Sequence, residues 1–278
     1  MKDRTKITLT PEQETLLIPL YAKAQPGNLL FFDPRARDIL DRVDYDFTRL
    51  RVPYKTVVLI CQRARKLDTV ARAFLAEHAS GVVVHLGCGL DSRFWRVDNG
   101  QVEWYDLDMV PVIDLRRQFY AGQERYHLIA SSVTELDWTN AVAAVDRPML
   151  VMAEGLLMYL DEADVKRLLL RLREVFPGCR LIADVFSRMT ARSATKHPSL
   201  KQTGASIGWG IDDPREVEGW AQGIRLLEEW YFTQDPDLNR LNLGYRLAYK
   251  LAGAFGMVRR AHRIVYYQLG NFDAPLYV

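Results

Sequence analysis

The stretch that most constrains this chain is Val82-Val83-Val84-His85-Leu86-Gly87-Cys88-Gly89-Leu90-Asp91-Ser92-Arg93. A β-branched run is cut off by two glycines one residue apart, and a helix-forming segment follows. The pattern predicts a buried parallel strand, a tight turn, and a helix whose N-terminus faces the turn. Glycines let the backbone approach a ligand closely, and free amides at a helix start favour an anionic or electron-rich group. Dinucleotides and S-adenosylmethionine are the two cofactor classes bound in this way. The dinucleotide fingerprint requires a third glycine three places after the second, and that place is taken by Ser92.

The rest of the chain alternates around this unit. Asp33-Pro34 starts a helix through Ile39 and Leu40, and Pro53 to about His78 is helical, with Val57, Ile60, Ala64, Leu67, Ala71, Phe74 and Leu75 on one face. An earlier helix is expected from Thr10-Pro11 to about Lys23. Residues 1–80 therefore form a helical cap, and residues 81–278 the core with which it makes one unit. Further strands are expected at Val102–Asp108, Tyr126–Ala130, Pro148–Glu154, Arg180–Phe186, Ile224–Phe232 and Val258–Leu269, with helices near Val110–Tyr120, after Asp161, and near Leu243–Phe255. Strands separated by helices imply an α/β, doubly wound parallel sheet. The polar, glycine-containing segment from about 187 to 223 is expected to be a lid insertion, with Trp209 and Trp220 as either acceptor-site walls or core aromatics.

Composition limits the partners. Hydrophobic residues make up 49% and charged residues 26% of the 278 positions, which suits a sizeable core. A net charge of +2, spread without blocks, argues against a nucleic-acid partner. Three scattered cysteines and five isolated histidines predict neither a disulfide framework nor a metal site. Without an apolar signal core in Met1–Lys6 or a membrane-spanning apolar run, the expected location is cytoplasmic, with no membrane partner. Oligomeric state is not readable from the sequence.

Ligands of open α/β sheets bind at the carboxyl ends of the strands. The first strand ends at Gly87-Cys88-Gly89. The second ends at Asp106 and Asp108, either of which can accept the hydroxyl protons of a ribose. The third ends at Ser131-Ser132-Val133, suited to an adenine edge and face. The fourth ends at Ala153-Glu154-Gly155, where Glu154 can meet an amino group, and Tyr159 follows, facing either a reaction centre or the packing beneath the next helix.

These residues carry a resemblance. Leu86-Gly87-Cys88-Gly89-Leu90-Asp91-Ser92-Arg93, Asp106-Leu107-Asp108 with Val112-Ile113-Asp114-Leu115-Arg116-Arg117, Ser131-Ser132-Val133-Thr134, and Ala153–Leu160 occur in order. From about Thr15 onward the chain resembles the leucine carboxyl methyltransferase family, in particular its bacterial, polyketide-type (tetracenomycin-like) carboxyl O-methyltransferase branch. The resemblance implies a class I methyltransferase (Rossmann-like) fold of seven strands, the last antiparallel, and S-adenosyl-L-methionine as donor. It implies cofactor contacts from Lys23, Arg63, Gly87, Cys88, Gly89, Asp108, Ser132, Val133 and Glu154, with Asp106 competing for the ribose. Relatives often carry Asp-Leu where this chain has Ser132-Val133. The implied reaction is methyl-ester formation on a small-molecule carboxylate, which needs no general base; no catalytic side chain is assigned, with Tyr159 the candidate if the acceptor is a phenol. The alternatives are methylation of a protein C-terminal leucine, cofactor binding without turnover, and an NAD-dependent oxidoreductase.

Overall fold

A computed structural model describes residues 16–25, 30–120, 122–143, 147–194 and 207–270. Seven strands, β1 (Val82–Leu86), β2 (Glu103–Asp108), β3 (Tyr126–Ala130), β4 (Met149–Ala153), β5 (Cys179–Phe186), β6 (Ile224–Tyr231) and β7 (His262–Leu269), form one sheet. Their order is β3-β2-β1-β4-β5-β7-β6. β1 to β5 pair in parallel, and β7 runs antiparallel to both β5 and β6. This is the class I methyltransferase sheet. β1 and β4 are buried along their whole length because helices cover both faces, which explains their nearly unbroken apolar sequences.

Among the described residues the α-helices are α1 (Leu17–Lys23), α2 (Pro34–Arg42), α3 (Tyr54–Glu77), α4 (Arg93–Val97), α5 (Val110–Arg117), α6 (Glu162–Val175), α7 (Arg188–Ala194), α8 (Leu243–Ala254) and α9 (Gly256–Arg259). Asp33 caps α2 by accepting from the amides of Arg35 and Ala36, and Asp161 caps α6 by accepting from Asp164. The Thr10 start expected for the first helix lies outside the described residues. β7 begins later than the expected Val258, because Gly256–Arg259 closes a helical turn in which Arg259 N–H reaches Phe255 O at 2.9 Å.

Period-two alternation divides the core. Val82, Val84 and Leu86 face α6, whose Val165, Leu168, Leu169 and Leu172 are fully covered. Val83 faces the opposite layer, where Leu17, Leu20, Leu67, Ala71 and Phe74 pack with Trp104, Leu150 and Ile182. The N-terminal helices thus bury their apolar faces on the sheet itself. That placement carries α1 and α3 across the carboxyl ends of the central strands.

Within the stretch expected as a lid, residues 195–206 lie outside the described residues. The described part beyond them is bound to the core: Gly208 N–H donates to Met158 O at 2.9 Å and Ile211 N–H to Phe186 O at 2.8 Å. Trp209 is buried in the main core, the partly buried Trp220 packs beside it, and neither lines the cavity at the carboxyl ends of the central strands. A β-carbon at Gly208 would stand 2.5 Å from Leu160 O, a backbone atom that cannot yield cheaply. Gly208→Ala is therefore expected to cost about 1–3 kcal/mol in urea unfolding. Gly219→Ala, where the added carbon meets nothing within 4 Å, should be near neutral in the same measurement.

Candidate functional site

A cavity of about 510 Å³ opens at the carboxyl ends of β1, β2 and β4. This is the point where the strand order reverses, with β1 flanked by β2 on one side and β4 on the other. Its floor is the turn Gly87–Asp91, its sides are Asp108–Met109 and Glu154–Leu156, and Leu20 and Lys23 of α1 with Arg63 of α3 close over it. Met158, Tyr159 and Phe186 line the remaining wall.

The turn has this shape because Gly87 and Gly89 both adopt positive φ, 61° and 52°, where a side chain is strained. A β-carbon at Gly87 would lie 3.0 Å from Leu156, and one at Gly89 3.3 Å from Leu16, so side chains there would fill the space between turn and cap. The turn is also held from behind. Arg116 on α5 is fully buried and donates to Gly89 O at 2.8 Å, Asp91 O at 2.6 Å, the Tyr126 hydroxyl oxygen at 2.7 Å and the Asp106 carboxylate. Asp106 also accepts from Trp104 Nε1 at 2.8 Å and Tyr126 Oη at 2.5 Å.

Asp106 and Asp108, alternatives in the sequence, therefore do different things. Asp106 does not line the cavity; it is buried behind the turn, where it neutralises Arg116. Asp108 lines the cavity, and its Oδ2 accepts from Gly89 N–H and its Oδ1 from Met109 N–H, each at 2.8 Å. Burial nonetheless pushes its carboxyl above the ordinary value, against these two backbone donors. A carboxylate in that condition retains capacity for further donors, which a vicinal diol supplies.

Buried ions crowd the opposite side. Glu154 faces Arg63 Nε at 3.2 Å and Lys23 Nζ at 3.9 Å through one oxygen, and the Arg93 guanidinium through the other. Lys23 Nζ lies 2.8 Å from Asp91, and Arg63 also reaches Asp184 at 2.9 Å. Arg93 donates to Asp68 Oδ1 at 2.7 Å and to His85 Nε2 at 3.0 Å. A guanidinium only donates, so His85 meets Arg93 as an acceptor through Nε2, while its Nδ1 faces Asp106 at 3.4 Å. Burial alone would raise the Glu154 pKa, but Lys23, Arg93 and Arg63 outweigh it and bring it to about 2. Burial likewise opposes ionisation of Asp184, and Arg63 and His262 hold it well below the carboxylate range. The Cys88 thiol is pushed up by burial and stays protonated.

Of the residues singled out in the sequence, Lys23, Arg63, Gly87, Cys88, Gly89, Asp108, Glu154 and Tyr159 come together around the cavity. Ser132 and Val133 do not line it: Ser132 Oγ pairs with Thr134 Oγ1 at 2.8 Å, and Val133 packs into the core. The sequence reading missed His85, Asp91, Arg93 and Asp184 as members of the cluster. A signal was present, since His85 interrupts an otherwise apolar strand and Asp184 follows the apolar run Leu181-Ile182-Ala183, and buried ionisable groups are rare unless paired.

A family model described as Leucine carboxyl methyltransferase matches residues 21–173. The chain is 42% identical over 271 residues to the Tetracenomycin polyketide synthesis O-methyltransferase TcmP of Streptomyces glaucescens, covering 94% of this chain and 98% of that protein. It is 30% identical over 260 residues to the S-adenosyl-L-methionine-dependent methyltransferase dpfgK of Gibberella zeae, covering 84% and 86%. Among solved structures, a DUF574 family protein from Streptomyces avermitilis superposes with a TM-score of 0.61 at 11% identity, over 93% of this chain and 99% of that one, a likeness of fold alone.

The ion cluster makes stability depend on pH with a definite sign. A carboxyl lowered in the folded state from 4.5 to about 2, as Glu154 is, contributes stability that is complete above the unfolded value and lost as pH falls through the folded one. Thermal melts followed by circular dichroism should fall more steeply through this acid window for the wild type than for Glu154→Gln. Equal slopes would remove Glu154 as a titrating contributor.

Proposed function

This chain belongs to the leucine carboxyl methyltransferase family and is an S-adenosylmethionine-dependent methyltransferase, and we propose that it forms a methyl ester on the carboxylate of a small-molecule, polyketide-like acceptor. The observation that carries this reading is the state of the cavity's ionisable groups. Among the described lining residues, Lys23, Arg63, Asp91 and Glu154 stand in ion pairs, Asp108 accepts from two backbone amides, and His85 accepts from Arg93. An acceptor that is already ionised near neutral pH needs no proton removed. The relative named for polyketide synthesis supports the acceptor class.

The residues fit the cofactor. Bound S-adenosylmethionine supplies an electrophilic methyl carbon on a positively charged sulfur. Asp108 offers its remaining lone pairs to the ribose hydroxyls. The Gly87–Gly89 turn gives backbone contact where side chains would intrude. Lys23 and Arg63 hold the methionine carboxylate, with Arg63 able to present two parallel donors. Glu154 accepts from the amino group. The chain's work is then alignment and exclusion of water, with α1 and α3 closing one side and Met158 and Phe186 drying another.

A phenolic acceptor is the second reading, favoured by Tyr159, whose side chain lines the cavity and is partly exposed. Methyl-labelled product distinguishes the two. An ester releases its label as methanol in mild alkali, and an aryl ether does not. Base-labile product, with turnover insensitive to Tyr159→Phe, is expected; base-stable product would overturn the carboxylate reading. Asp108→Ala is expected to weaken binding of S-adenosylhomocysteine by about 1–3 kcal/mol in calorimetry, the scale for losing a charged hydrogen-bond partner. Unchanged affinity would remove Asp108 from the ribose.

A further inference from the structure

α8 has its amphipathic faces reversed. The face turned toward the protein carries Tyr245, which stacks edge-on to Tyr54 at 5.0 Å between ring centres, and Tyr249, whose hydroxyl donates to Gln62 Oε1 at 3.0 Å. The large aliphatics are on the outside. Leu243, Leu247 and Leu251 recur every fourth residue, and Phe255, Met257 and Val258 continue the patch through α9; all six are 52–66% exposed. A helix folding only for its own core places such side chains inward.

Charge sets the character of the patch. Between Asp237 and Asp273 the sequence has no aspartate or glutamate, but it has six arginines and lysines, in a chain whose 37 cations and 35 carboxyls nearly balance. Of the six, Arg263 is buried against Glu229 and does not contribute to the surface. Arg246 and Lys250 flank the leucine stripe on exposed positions, and Arg260 is exposed beyond it. An apolar helical ridge with a cationic border suits an anionic lipid interface, where leucines enter the acyl boundary and basic side chains reach the headgroups. A second copy suits it poorly, because apposed patches would set these cations against one another with no carboxylate in the segment to offset them. A protein partner would need a preformed groove for a helix face of this kind, whereas a bilayer surface deforms around it.

We propose that the exposed face of α8 and α9 is a docking surface for an anionic phospholipid bilayer. The chain lies on the membrane and does not span it, in keeping with the absence of any long apolar spanning helix among the described residues. α9 leads into β7, whose first residue, His262, pairs with the cavity-lining Phe186. The docked face therefore belongs to the cavity's end of the sheet, and an apolar acceptor dissolved in lipid would be concentrated there. The docking itself is independent of the acceptor's identity.

Flotation of the full chain with phosphatidylcholine vesicles, with and without about a quarter phosphatidylglycerol, tests this directly. Binding is expected to the anionic vesicles only, to weaken with added salt, and to fall about tenfold or more in both Leu247→Glu/Leu251→Glu and Arg246→Gln/Lys250→Gln. The substituted side chains are exposed, so both variants should melt like the wild type, and melting curves check that. Failure of the wild type to float with anionic vesicles, or undiminished binding in the variants, would overturn the proposal. So would a concentration-dependent dimer in sedimentation velocity that Leu247→Glu/Leu251→Glu disperses, because a second copy would then cover the face.

Discussion

The bonds from Arg116 to Asp106 and to the carbonyls of Gly89 and Asp91 hold the rest of the site in place. They join α5, β2 and the glycine turn in one fully buried contact. With its carbonyls drawn back toward the guanidinium, the turn keeps Gly89 N–H for Asp108 on the cavity side. Removing either charge would leave the other buried without its counter-charge, a loss of about 3–5 kcal/mol. This fully buried guanidinium is thus structural, and its effect on function is to shape a backbone.

A second set of ions fastens the helical cap to the sheet. Lys23 and Arg63 come from helices that precede β1, whereas Glu154 and Asp184 stand at the carboxyl ends of β4 and β5. Burying these charges is costly, and their mutual attraction offsets that cost only because each is met by several partners. Apolar packing of Leu17, Leu20 and Phe74 on the sheet already brings cap and core together. The ions add registration: they decide which residues of the cap stand over which strand ends. The same cations remain positioned to exchange a protein carboxylate for a ligand's.

The separation of Asp106 from Asp108 illustrates what the sequence could and could not resolve. Both are acids at the end of β2, and residues two apart on a strand point to the same face. Spacing therefore assigns them equal claims. The difference lies in depth along the strand: Asp106 pairs across the sheet with Leu128 and meets Arg116 inside, while Asp108 is the last strand residue, level with the turn. Ser132 and Val133 show the same limit, since a position after a strand end does not say whether a side chain turns inward, outward or to a neighbour.

The sequence by itself determined the architecture and the donor class. Apolar strands bounded by glycines and helices at regular spacing specify the architecture through local periodicity and turn chemistry, which need no knowledge of distant contacts, and four ordered motifs carry the family resemblance that implies the donor. Where an acid, a histidine or an arginine stands relative to others depends on pairings that cross the chain, such as Arg63 with Asp184 or Arg93 with Glu154. Those were decided only by the tertiary structure, because buried charges take their states from neighbours that sequence order does not place beside them.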